Sequence, residues 1–103
     1  MSQILVVEDE VVIRTALKRL LERHEYEVSE AGTVKESLEK YDMEDFDVII
    51  SDLRLPGAPG TDLIKASSTP VLIMTSYSSI RSAIDSMKMG AVDYIAKPFE
   101  HNE

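Results

Sequence analysis

Four acids, a threonine and a lysine stand at the ends of short, largely apolar runs of this chain. Glu8-Asp9-Glu10 closes Ile4-Leu5-Val6-Val7, and Asp52 closes Asp47-Val48-Ile49-Ile50-Ser51. Thr75 closes Val71-Leu72-Ile73-Met74, and Lys97 follows Val92 to Ala96. If the runs are strands of one sheet, their ends can share a mouth. Three carboxylates drawn together there (Glu8, Asp9 and Asp52) repel, and each resists ionisation unless a cation sits among them. Hard oxygen donors with no His or Cys nearby suit Mg²⁺, which keeps several waters and usually takes one or two protein carboxylates. Mg²⁺ in turn goes with phosphate chemistry. A lysine offers a compact positive charge to a phosphoryl oxygen, a threonine offers a hydroxyl donor, and a carboxylate remains as nucleophile.

Each residue alone also has a plain structural explanation. Asp52 precedes the loop Leu53-Arg54-Leu55-Pro56-Gly57 and could be a turn residue satisfying backbone donors. The acids at 8–10 could favour the N-terminus of the following helix. Thr75 could be a loop hydroxyl, Lys97 a surface lysine, and Tyr94 a packed edge-strand aromatic. What separates the two views is whether the strand ends meet.

The elements that must bring them together follow from periodicity. Ile4–Val7, Val48–Ile50 and Val71–Met74 are continuously apolar, as in strands buried on both faces. Tyr26 to Ala31 alternates weakly and Val92 to Ala96 is less apolar, so these two suit sheet edges. From Val11 to Arg23 the period is helical, with Ile13, Ala16, Leu17, Leu20 and Leu21 on one stripe and Arg14, Lys18, Arg19, Glu22 and Arg23 facing away. Thr33 and Glu36 have the form of a capping box opening a short helix to about Tyr41. Thr61 to about Ala66 allows one or two helical turns. Ser78 or Ser79 can cap a helix with Ile80, Ala83, Ile84 and Met87 on its apolar stripe, and Gly90 can stop it.

Alternating strands and helices imply a parallel α/β sheet with helices on both faces. Right-handed crossovers then favour a doubly wound sheet in the order 2-1-3-4-5, which is flavodoxin-like. In that order the topological switch falls between the first and third strands, where Glu8, Asp9 and Asp52 end.

Composition narrows the function classes. The chain of 103 residues is long enough for one core and not for two, and it has no cysteine, so disulfides and thiolate metal sites are excluded. Its formal charge of −8 argues against this domain holding a nucleic-acid backbone by itself. No apolar run is long enough for a membrane span, and nothing resembles a signal peptide, which fits a cytoplasmic location. There is no glycine-rich nucleotide loop.

In combination and order, Ile4-Leu5-Val6-Val7-Glu8-Asp9-Glu10, Asp52 with Leu55-Pro56-Gly57, Met74-Thr75-Ser76 and Lys97-Pro98-Phe99 resemble the receiver domain of bacterial two-component response regulators, which is CheY-like. The resemblance runs from Ile4 to Phe99. It implies that Asp52 is the phosphoacceptor for a sensor histidine kinase. It implies that Glu8, Asp9, Asp52 and the backbone carbonyl of Arg54 hold Mg²⁺. Thr75 and Lys97 would engage the phosphoryl group, Tyr94 would switch with Thr75, and Arg54 and Tyr77 would tune hydrolysis. A cis peptide between Lys97 and Pro98 would aim the lysine inward.

The segment Thr75 to Ile80, with Ala83, Met87-Lys88, Gly90-Ala91 and Asp93-Tyr94, is similar to NtrC-type regulators. That similarity implies a covalently linked output for transcription regulation, an ATPase plus a DNA-binding domain, beyond residue 103. It also leaves room for a homodimer.

Against the family pattern, the third helix is short, and residues 1–103 stop before the family's fifth helix, as a truncated receiver would. Two other functions fit some of the residues. A haloacid-dehalogenase-like phosphotransferase would share Asp52, but it wants an acid where Arg54 stands and a cap domain. A receiver fold retained only for docking is the other. The resemblance makes the chain a phosphoaccepting signalling domain rather than an enzyme.

Overall fold

The computed structural model describes residues 2–76 and 80–97, with backbone only for Ser76, Ile80 and Lys97. Strand β1 (Gln3–Val7) leads into helix α1 (Val11–Arg23), and β2 (Glu27–Ala31) into α2 (Val34–Lys40). A single 3₁₀ turn (Met43–Asp45) precedes β3 (Val48–Asp52). Helix α3 (Asp62–Ala66), β4 (Val71–Ser76), α4 (Ile80–Lys88) and β5 (Asp93–Lys97) complete the described chain. All strand pairs are parallel, and the five-stranded sheet has the expected order β2-β1-β3-β4-β5. The fully apolar strands are central and the mixed ones lie at the edges, because only a central strand must be apolar on both faces. The Lys97–Pro98 peptide and the last residues, 98–103, which were expected to stop short of a fifth helix, lie outside the described set.

Strand parity divides the core in two. Leu5, Val7, Ile49, Val71 and Ile73 point to one face, where Val34 of α2, Leu63 of α3, Met43 and Phe46 cover them. Ile4, Val6, Ile50 and Met74 point to the other face, against Leu17 of α1. Leu5, Ile49, Leu63 and Ile73 have no exposed surface, and each such side chain contributes roughly 1.5–3 kcal/mol of burial.

Two helices sit differently from their apolar periodicity. On α1, Leu17 is buried, while Ala16 and Leu20 are exposed. Arg14 and Lys18, expected to face away, are half-buried and turn toward Glu30 of β2, each at 3.2 Å. On α4 the buried positions are Ala83 and Ser86, and Ile84 and Met87 are exposed. Ser86 enters the core because its hydroxyl donates to the Ser82 carbonyl at 2.9 Å, so no polar atom is stranded. A count of apolar residues could not anticipate that.

Helix ends account for the turns. The α4 terminus is a Schellman motif: Ala91 N–H reaches Ser86 O at 3.1 Å, Gly90 N–H reaches Met87 O at 3.1 Å, and Gly90 has φ +119°. Helix α1 ends the same way, through Tyr26 N–H to Leu21 O and Glu25 N–H to Glu22 O, with Glu25 at φ 69° in place of glycine. At the start of α2, Thr33 Oγ1 accepts Glu36 N–H at 3.0 Å. The Glu36 carboxylate reaches one residue further back than a capping box requires and accepts Gly32 N–H at 2.7 Å.

That Gly32 hydrogen bond, followed by Lys40, holds the Glu36 carboxyl below its ordinary value of 4.5. A depressed acid stabilises the fold above its unfolded pKa and loses that contribution as pH falls through the folded value. In urea titrations Glu36→Gln is therefore expected to be less stable than the parent at pH 7. The gap should stay constant down to about 4.5 and close below it. A gap that persists unchanged into the acid range would rule out the ionised carboxylate as its source.

The loop between β3 and α3 presses on the sheet. A Cβ added to Gly60 would overlap the Asp52 carbonyl oxygen and lie 2.6 Å from Ser51 Oγ. The obstacle is chiefly backbone and cannot rotate away. Gly60→Ala is expected to destabilise the fold by about 2–3 kcal/mol, read as a lowered urea midpoint at unchanged slope.

Candidate functional site

Register brings the strand ends into line. Val7 lies opposite both Ala31 and Ser51, Asp52 opposite Met74, Thr75 opposite Ala96, and Ser76 opposite Lys97. Glu8, Asp52, Thr75 and Lys97 therefore emerge at the same C-terminal edge, where the chain reverses between β1 and β3. One carboxylate oxygen each from Glu8, Asp9 and Asp52 lie within 4.8 Å of one another. Glu8 is fully buried, Asp52 nearly so, and Asp9 is exposed.

The backbone holds these acids individually. The Glu8 N–H continues the sheet ladder to Ala31 O at 3.0 Å. Its carboxylate accepts Glu10 N–H at 3.0 Å, and its carbonyl accepts Arg14 Nη1 at 2.9 Å. On the other side, Leu53 N–H bonds Met74 O at 2.9 Å, so the ladder extends one residue past Asp52. Ser51 Oγ donates to the Asp52 carbonyl at 3.0 Å, and Asp52 Oδ1 accepts Arg54 N–H at 3.3 Å. The Arg54 backbone thus lies beside the carboxylate, while its side chain is exposed.

Such a trio fits a hard divalent cation. Its donors are all oxygen, their spacing allows one ion to touch all three, and a cation offsets the cost of burying Glu8 among like charges. Asp9 stands at the solvent edge of the trio, where water can reach a bound ion.

Thr75 is buried within β4 rather than in a loop, 2% exposed, on the strand next to Asp52. Tyr94 is half-buried and packs against the core on the face of Val71 and Ile73. Lys97 is the last residue of β5, but its side chain lies outside the described residues, as does the whole of Tyr77.

Three contributors were not evident from residue type. Gly60 and Ser51 act on the Asp52 backbone through close approach, which no spacing rule reveals. Arg14 did leave a signal. It stands one helical turn after Glu10, and helical side chains lean toward the N-terminus, which returns its guanidinium to the loop carrying Glu8.

The comparisons with known proteins agree with this geometry. Residues 4–103 match the response regulator receiver domain family. Transcriptional regulatory protein ZraR of Klebsiella oxytoca is 37% identical over 97% of this chain and 24% of its own length. Response regulator protein PilR of Pseudomonas aeruginosa is 38% identical over 93% of this chain and 23% of its own. The chain thus spans about a quarter of the length of these curated relatives. Among solved structures, the chemotaxis response regulator CheY4 of Vibrio cholerae superposes with a TM-score of 0.85 at 34% identity, covering 96% of this chain and 88% of that one. The receiver domain of NtrX from Brucella abortus gives 0.86 at 28% identity, covering 94% and 87%. With sequence, topology and strand-end geometry in accord, the chain belongs to the response regulator receiver domain family, a signalling domain of two-component systems rather than an enzyme.

Proposed function

We propose that Asp52 accepts a phosphoryl group from a sensor histidine kinase and that residues 1–103 act as one receiver domain. The observation that carries this is the meeting of the Glu8, Asp9 and Asp52 carboxylates within 4.8 Å, beside Thr75 on the adjoining strand. A carboxylate oxygen of Asp52 attacks phosphorus, the phosphorus–nitrogen bond of the kinase's phosphohistidine breaks, and the imidazole leaves with the bonding pair. Glu8, Asp9, Asp52 and the Arg54 carbonyl would hold Mg²⁺, which when bound neutralises phosphoryl charge.

The chain's own groups set the geometry. The extended ladder and the Ser51 contact fix the Asp52 backbone, and the Arg54 N–H orients its carboxylate. Thr75 supplies a hydroxyl and Lys97 an ammonium toward the phosphoryl oxygens. Arg54 and Tyr77 would tune hydrolysis.

Movement of Thr75 would be read out by Tyr94 and the nearby surface of α4 and β5. Ile84 and Val92 are 48% and 56% exposed there, and Met87 and Met89 are exposed with them. Exposed apolar side chains at these positions suit a homodimer or a covalently linked output domain. The names and greater length of the relatives support an output in transcription regulation, with an ATPase and a DNA-binding domain as the NtrC-type reading. No described helix is long and apolar enough to cross a membrane, and we place the domain in the cytoplasm, without nucleic-acid contact of its own.

Intact-mass measurement after incubation with Mg²⁺ and a small acyl phosphate tests the central claim. The parent chain should gain one phosphoryl group and Asp52→Asn none. Asp9→Asn should slow the gain at limiting Mg²⁺ and recover toward the parent rate as Mg²⁺ is raised. An adduct that survives in Asp52→Asn would overturn the assignment.

A further inference from the structure

We infer that Arg14 is a positioning residue for the acidic cluster, acting through the peptide that joins Glu8 to Asp9. This rests on the proposal that the cluster holds Mg²⁺. The guanidinium binds at two points. Nη1 donates to the Glu8 carbonyl at 2.9 Å, and Nε donates to Glu30 Oε1 at 3.2 Å. Its second anchor is itself held. Lys18 Nζ pairs with Glu30 Oε2 at 3.2 Å, and Tyr41 OH donates to the Glu30 carbonyl at 3.1 Å. The Arg14 backbone N–H also bonds Glu10 O at 2.9 Å, so helix and loop are fixed to each other. Gly32 leaves room for the fork, since a Cβ there would come within 3.3 Å of Nη1.

The consequence lies in the peptide plane. Because a peptide unit is planar, holding the Glu8 carbonyl sets the orientation of the whole Glu8–Asp9 unit, including the Asp9 N–H and Cα. Asp9 is exposed and needs such a constraint if its carboxylate is to stay near the buried ones. A guanidinium can do this because its donors form a rigid planar fork, whereas an ammonium is a single point charge that cannot span both acceptors in the same way.

Arg14 is also a cation near a cation site, and this makes the inference testable by sign. Coulomb repulsion alone would make its removal strengthen Mg²⁺ binding, and its replacement by lysine neutral. Positioning makes both substitutions weaken binding.

Isothermal titration of Mg²⁺ into the chain should therefore give about a 10-fold weaker affinity for both Arg14→Met and Arg14→Lys. Arg19→Met removes a positive charge from an exposed position of the same helix that belongs to neither ion pair of Glu30, so it should bind as the parent does or more tightly. In the Mg²⁺-free chain, the Glu10 amide that donates to Glu8 should exchange its hydrogen about 10-fold faster in both Arg14 variants and at the parent rate in Arg19→Met. Arg14 variants that bind Mg²⁺ as tightly as the parent, or Arg19→Met weakened as much as they are, would overturn the inference. If the parent itself shows no saturable Mg²⁺ binding, the metal proposal fails instead, and the exchange rates alone decide whether Arg14 positions Glu8.

Discussion

Burying the Glu8 carboxylate beside two other acids is the constraint on which the rest of this molecule depends. A buried unpaired anion costs several kcal/mol, and like charges nearby raise that cost. The fold meets it by placing the acids where backbone donors are available. At the C-terminal edge of a parallel sheet each strand has just left its ladder, and the next amides are free to turn toward a side chain. Glu10 N–H does this for Glu8, and Arg54 N–H does it for Asp52. The sheet order and the β1–β3 register, which sets Val7 opposite Ser51, are what bring those two turns together.

The sequence shows this edge clearly because burial on both faces leaves a strong signal. Ile4–Val7, Val48–Ile50 and Val71–Met74 have no polar alternation, so their central positions could be read, and with them the strand order. Their terminal acids followed. Capping was also legible at Thr33, since a side-chain oxygen followed three residues later by a glutamate is a local pattern.

The helices were less legible, for a physical reason in each case. On α4 a serine replaces an aliphatic residue at a buried position because its hydroxyl finds the carbonyl one turn back. On α1, Arg14 and Lys18 look like solvent-facing cations until β2 supplies Glu30 as a partner sixteen and twelve residues away. Gly60 was invisible for a different reason. Its importance lies in a contact with the Asp52 carbonyl that has no signature in residue spacing. Long-range partners and close backbone approaches are where local patterns stop being informative.

The two sides of the cluster are held by different means, and this bears on how a change at Asp52 can be transmitted. Beyond its own ladder bond to Ala31, the Glu8 side is tied by side chains: a guanidinium, a glutamate and a lysine that join α1 to β2. The Asp52 side is held chiefly at its main chain: by a ladder bond beyond the aspartate, by the Ser51 hydroxyl on its carbonyl, and by a glycine packed against that same carbonyl. A close-packed backbone resists displacement. If Asp52 takes up a phosphoryl group, its main chain is the part least able to move. In the proposed switch the response passes instead to neighbouring side chains. Thr75 stands on the adjoining strand, and beyond it lie Tyr94 and an α4 with only Ala83 and Ser86 among its described side chains buried. In that switch, rigidity at Asp52 and sparse burial among the described side chains of α4 are complementary. The first fixes where charge arrives, and the second lets a small rearrangement change what the surface presents.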